Sequence, residues 1–217
     1  MVVTKIEYQK KDPNRVNLYV DNLFFLGISL DTLASENLYE GLEISEKVLG
    51  RIVKKDLEDR FLTRVMNYLS RSPKTELQVY RYLRNLRYKK KNVWFKDDLD
   101  IEWENLFNSI VNRLKEYKYI NDEEYARSFV SSRIRNKPRG KSILIQELLS
   151  KGVDRELAQR VCNELIESEY EILRRSFEKR FRNQKFSIDN QQMVNYLLRK
   201  GYSWDLIVQF SKDDTTE

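Results

Sequence analysis

Two hydrophobic rhythms divide this chain. Up to about residue 30 the apolar positions alternate with polar ones: Ile6 and Tyr8, then Val16, Leu18 and Val20, then a run from Leu23 to Ile28. Alternation of this kind marks half-buried strands, and Asp12-Pro13-Asn14 and Asp21-Asn22 between the runs are turn formers. The reading is a three-stranded antiparallel meander. Such a sheet is marginal by itself and needs a helix over one face. Leu30, Leu33, Ala34 and Leu38 supply one short helix. Ser45 starts another, with Val48, Leu49, Ile52 and Val53 inward.

From residue 57 the spacing is helical. Phe61, Leu62, Val65, Met66 and Leu69 form one face, and Pro73 follows. Leu77, Tyr80 and Leu83 form the next face, then Trp103, Leu106, Phe107, Ile110, Val111 and Leu114. The plan recurs with clear punctuation at Asn121. Asn121 can cap a helix that carries Tyr125, Ala126, Phe129, Val130 and Ile134 on its buried side, and Glu124 completes a capping box. Pro138 ends that helix, because the residue before a proline avoids helical geometry. Leu144, Ile145, Leu148 and Leu149 define a second helix, closed by Gly152. Asp154 caps a third, which carries Leu157, Ala158, Val161, Cys162, Leu165 and Ile166. Lys200-Gly201-Tyr202-Ser203 repeats Lys151-Gly152-Val153-Asp154, and Leu83 and Leu148 lie equally far beyond Pro73 and Pro138.

The expected fold is therefore mainly α. A β-rich leader with short helices spans 1–56. Three three-helix units follow at 57–120 (with an insertion, Lys89 to Asp98), 121–167 and 168–213, and 214–217 is a tail. Units of this size bury too little to stand alone with ease, so stacking in an elongated, curved array is expected.

Composition adds chemistry by exclusion. Among 217 residues, 41% are hydrophobic and 34% charged, with a net charge of +6. No histidine is present, which removes the usual general base near neutral pH and any Cys/His metal cluster. No Gly-rich phosphate loop occurs, and the carboxylates fall in ion-pair spacing on helices. The expectation is a non-enzyme with no cofactor, no metal and no catalytic residue. The single cysteine, Cys162, reads as a small buried hydrophobe, which suits a reducing cytoplasm. No apolar run is long enough to span a membrane.

The positive signal is clustered cation. Arg133, Arg135, Lys137, Arg139 and Lys141 alternate with no acid between them. Arg81, Arg84 and Arg87 lead into the lysines of the insertion. Arg174, Arg175, Lys179, Arg180 and Arg182 mark the third unit. Each run sits near the joint between first and second helices, or just past it. They can therefore form one basic stripe facing phosphate or an acidic protein surface. Trp94 and Phe95, inside the insertion and outside any helical period, are candidates for exposed partner contact.

The segment Tyr125-Ala126-x-x-Phe129-Val130-x-x-Arg133, then Pro138-Arg139-Gly140, then Glu147-Leu148-x-x-Lys151-Gly152-Val153, resembles the central motif of the RecX family of regulatory proteins. The preceding Tyr119-Ile120-Asn121-Asp122-Glu123-Glu124 shares the resemblance, as do the three-unit layout and the β-rich leader. The resemblance implies a cytoplasmic, monomeric regulator. Its partners would be the RecA recombinase and the RecA filament on single-stranded DNA, with weak direct DNA binding besides. It would inhibit ATP hydrolysis, filament growth and strand exchange. The family's basic motif falls on Arg133, Pro138, Arg139 and Gly140, with Tyr125, Phe129 and Gly152 as structural positions. Arg133 and Arg139 would supply charge at the joint, while Pro138 and Gly140 fix its turn. Two rival readings are a nucleic-acid-binding protein with helix-turn-helix-like units and a structural adaptor.

Overall fold

The computed structural model describes residues 1–95, 101–182 and 184–214. Three strands come first: β1 (Val3–Tyr8), β2 (Arg15–Val20) and β3 (Leu23–Ser29). Ten helices follow among the described residues: α1 (Leu30–Ser35), α2 (Glu46–Leu69), α3 (Glu76–Lys90), α4 (Trp103–Glu116), α5 (Asp122–Asn136), α6 (Lys141–Ser150), α7 (Arg155–Leu165), α8 (Glu169–Phe181), α9 (Gln191–Arg199) and α10 (Trp204–Asp214). No helix among them is long and apolar enough to cross a membrane. The insertion residues 96–98 and the tail residues 215–217 lie outside the described residues.

The chain forms two compact units. The first holds 1–72 and 80–117. Its sheet has the order β1-β2-β3, antiparallel throughout. Asp21 and Asn22 turn the β2–β3 hairpin with φ of 49° and 66°, the positive-φ pair that a two-residue turn matched to strand twist requires. Val16, Leu18 and Val20 point to one face, where Leu49 and Ile52 of α2 cover them. The expected division at residue 57 falls inside α2, which is continuous from 46 to 69. No proline interrupts that stretch, and the one glycine in it, Gly50, leaves the helix intact. Leu49 and Ile52 therefore serve the sheet, while Phe61 and Val65 serve the helices beyond it. Phe61 is ringed edge-on by Trp94, Trp103 and Phe107 at 5.5, 6.0 and 5.6 Å.

The second unit holds 73–79 and 118–217, and one apolar core runs through it from Ala126 to Phe210. Two consecutive three-helix sets, α5–α7 and α8–α10, share that core. Ser45 stands at the N-cap of α2 without a side-chain cap bond, whereas the expected caps at Asn121 and Asp154 are made. Asn121 Oδ1 accepts from the amides of Glu123 and Glu124, and Asp154 caps α7 in the same way. Gly152 and Gly201 both have positive φ, at 92° and 88°.

A repeated interlock fixes the sets. Gly140 donates its amide to the Lys200 carbonyl at 2.8 Å, Ser142 Oγ donates to the Gly201 carbonyl, and the Lys141 amide donates to Glu169. At the start of α3 the pattern recurs. Thr75 Oγ1 donates to the Lys151 carbonyl at 2.6 Å, and the Glu76 amide donates to Asp122. In each case a carboxylate from the next set satisfies a free amide at a helix start. The contact is too close for a side chain at Gly140: an added Cβ would lie 2.3 Å from the Gly201 carbonyl oxygen. Gly140 is a packing glycine buried at a helix start.

Candidate functional site: the basic joint between α5 and α6

The α5 helix ends at Asn136 with Lys137 as its C-cap, and Pro138 is buried. This turn brings Arg133, in the last turn of α5, and Arg139, just before α6, onto a single acid. Glu147 accepts from Arg133 Nε at 2.9 Å and from Arg139 Nη1 at 2.5 Å. Arg133 also lies over the Phe129 ring, 4.8 Å from its centroid, and Lys151 approaches the same ring at 5.5 Å. Tyr125 stacks on Phe129 in the half-buried shell of the core. Tyr125, Phe129, Pro138, Gly140 and Gly152 are thus packing positions that set where the two arginines stand. The arginines themselves clamp α6 to α5.

The remaining cations of the central run differ. Arg135 and Lys137 are exposed. Lys141 is tied down, with its Nζ on Asn163 at 3.0 Å. The third run meets the central one where Lys179 of α8 donates to the Asn136 carbonyl at 2.7 Å. Between them lies a cleft of about 370 Å3. Lys137, Arg139, Lys179, Arg180 and Lys200 line it, with Ser176 and Tyr196 at its wall and no carboxylate among the described residues of the lining. One hydrogen bond and one cation–π contact hold the wall: Tyr196 Oη donates to the Ser176 carbonyl at 3.1 Å, and Lys200 lies 5.3 Å from the Tyr196 ring centroid. Arg139 Nε is buried and has no acceptor among the described residues.

The other expected contacts fall elsewhere. Arg174 pairs with Glu178 on its own helix, Arg175 is exposed, and Arg182 is an exposed helix-end residue with φ of 46°. Arg81, Arg84 and Arg87 belong to the first unit. Arg81 and Arg84 are exposed there, while Arg87 lies over Trp103 at 4.6 Å. The expectation of exposed aromatics in the insertion needs correcting. Phe95 is only 7% exposed and packs on Trp103 at 4.5 Å. Trp94 is half-buried against Phe61, with Arg60, Arg64 and Lys90 each within 6 Å of its ring centroid. Burying these rings removes apolar surface from water, and that outweighs the basic character of the loop around them.

Sequence reasoning passed over Glu147 as the acid of the clamp, and Lys200 and Tyr196 as lining of the cleft. The recurring Lys-Gly turn was the available signal for Lys200, since each such turn packs on the start of a preceding helix. Among the described residues no cluster of acids and thiols is suited to a metal ion. The Cys162 thiol is buried and pushed up to about 11 by desolvation, so it is a poor nucleophile at neutral pH.

Comparison with known proteins identifies the architecture. Three family models match: the regulatory protein RecX N-terminal domain over residues 1–45, the RecX second three-helix domain over 121–161, and the RecX third three-helix domain over 167–210. The regulatory protein RecX of Clostridioides difficile (strain 630) is 28% identical over 212 residues, covering 95% of this chain and 92% of that protein. That of Bacillus licheniformis is also 28% identical, covering 99% and 80%. A crystal structure of regulatory protein RecX superposes with a TM-score of 0.71 at 25% identity, covering 98% of both chains. The crystal structure of RecX from Lactobacillus salivarius has the same fold, with a TM-score of 0.56 over 74% of this chain and 97% of that one. With the meander, the tandem three-helix sets and the clamped motif all in place, the chain belongs to the RecX family of regulatory proteins.

Proposed function

We propose that this protein binds the RecA recombinase and its filament on single-stranded DNA, and inhibits ATP hydrolysis, filament growth and strand exchange. The observation that carries this reading is the cationic cleft at the family's own motif, whose described lining holds no acid. A filament on DNA presents phosphate and carboxylate, and clustered cations speed encounter with either. The same reading makes the protein a cytoplasmic monomer without cofactor or catalytic step.

The helix-turn-helix alternative has less support. A reading helix needs exposed cations and amides free of nearby acid. On α7 the exposed Arg160 is held by Glu123, and Glu156 and Glu164 share that surface. Acids there would repel a phosphate backbone.

The test is the rate of ATP hydrolysis by RecA on single-stranded DNA, with and without this protein. A fall in rate as the protein approaches the concentration of RecA is expected. An unchanged rate at excess protein overturns the proposal.

A further inference from the structure

We propose that the cleft between the α5–α6 joint and helices α8 and α9 binds the sugar–phosphate backbone of a single strand of nucleic acid, with one base lodged against Tyr196. This rests on the function proposed above and names which component of a filament the joint would meet.

Four observations support it. The described lining of the cleft holds five cations and no acid, which favours an anionic ligand. The fork that best matches a carboxylate is already in use. Arg139 commits its Nη1 to Glu147, whose other oxygen holds Arg133. What remains is largely lysine: Lys137, Lys179 and Lys200, with Arg180 beside them. Ammonium groups act as point charges that suit phosphate oxygens spread along a backbone, and require no planar, two-toothed partner. The buried Arg139 Nε has no acceptor among the described residues, and an anion in the cleft would also offset its charge.

The aromatic in the wall decides between ligands. An acidic peptide gains nothing from Tyr196, whereas a base can stack on it whatever its identity. Tyr196 is already held edge-on by Phe181 at 5.4 Å and fixed at its hydroxyl by Ser176, so its ring needs no ordering upon binding. The volume, about 370 Å3, admits a nucleotide-sized group rather than a helix.

The test uses the full chain and a labelled oligothymidine of about fifteen nucleotides, within the range of known single-strand site sizes. Binding is followed by fluorescence anisotropy across a salt series. Two variants remove the cleft's charge in different ways: Lys137→Gln with Arg180→Gln, both exposed, and Lys179→Gln with Lys200→Gln. A charge-matched control, Lys10→Gln with Lys11→Gln, lies in the exposed β1–β2 turn. Each cleft variant should weaken binding roughly tenfold and lower the slope of log affinity against log salt by about 1.4, two contacts at about 0.7 each. The control should change neither by more than its general charge effect. Unchanged affinity and slope in both cleft variants would overturn the assignment. So would a polyglutamate peptide of similar length that binds more tightly than oligothymidine and loses its binding in the same variants. If the cleft variants bind oligothymidine normally but fail to inhibit RecA, the inference falls and the proposed function survives. If they lose the strand while the parent never inhibits RecA, the inference stands and the proposed function falls.

Discussion

Each unit contains an arginine–carboxylate–arginine node, and the two differ in one respect: access to water. In the first unit Asp56 is completely buried. Arg15 and Arg60 reach it from β2 and from one turn along α2, each at 2.6 Å, and both also donate to the carbonyl of Gly27. In the second unit the Glu147 side chain keeps 19% of its surface exposed, and its arginines are more open than those on Asp56. A buried carboxylate loses hydration that only close partners can replace, so its node is complete. Every oxygen is engaged, and a backbone carbonyl shares the cations. The Glu147 node tolerates an unsatisfied Arg139 Nε, and its cations stand at the rim of a cleft. The closed node ties a sheet to a helix. The open one joins two helices and leaves positive potential facing outward.

That difference predicts a ranking of effects. Asp56→Ala should be the most damaging change, costing about 3–5 kcal/mol, because two largely buried guanidinium groups would be left without their counter-charge. Urea denaturation would measure it, and a loss below about 1 kcal/mol would show that the node is not what holds the sheet to α2. Glu147→Ala should cost less, about 1–3 kcal/mol, since water can solvate the released arginines. Arg133→Ala and Arg139→Ala should follow it in stability. Any loss of RecA inhibition in those variants would then accompany a loosened joint. If Glu147→Ala costs as much as Asp56→Ala, solvent access is not the deciding variable and the comparison fails.

The nodes also show what the sequence could and could not disclose. The meander was legible because β2 alternates strictly and Asp21-Asn22 are turn formers between two apolar runs. The tandem sets were legible because Gly152 and Gly201 are each followed by an apolar residue and then a capping residue. These are local signals, written within a few residues. Glu147 was not legible as the partner of Arg133, which lies on another helix and meets it only because Pro138 turns the chain. The fate of Phe95 was equally hidden: a phenylalanine among lysines reads as exposed until Trp103 arrives to cover it. The continuity of α2 was missed because its apolar face serves two different cores in succession. That mimics two helices in a pattern search.

A third carboxylate extends the series toward water. Glu123, at the start of α5, has a side chain 39% exposed and accepts from Arg127 at 3.0 Å and Arg160 at 3.2 Å. Its carboxyl is held below the ordinary value of 4.5, chiefly by the hydrogen bond from Arg127 and then by the nearby charge of Arg160. The sign follows from that direction. A group more acidic in the folded state stabilises when ionised, so its contribution is present above its unfolded pKa and disappears as pH falls through the lowered folded value. Glu123→Gln should therefore melt below the parent at pH 7, by a smaller margin than either the Asp56 or the Glu147 node gives, and the two curves should converge in acid. Salt should narrow the gap at pH 7 as well, because exposed pairs are screened within about 10 Å at 0.1 M. The Asp56 effect should barely respond to the same salt. A Glu123→Gln deficit that persists in strong acid, or that salt leaves untouched, would mean the side chain acts through packing or its place in the first turn of α5. Exposure would then no longer order the three nodes.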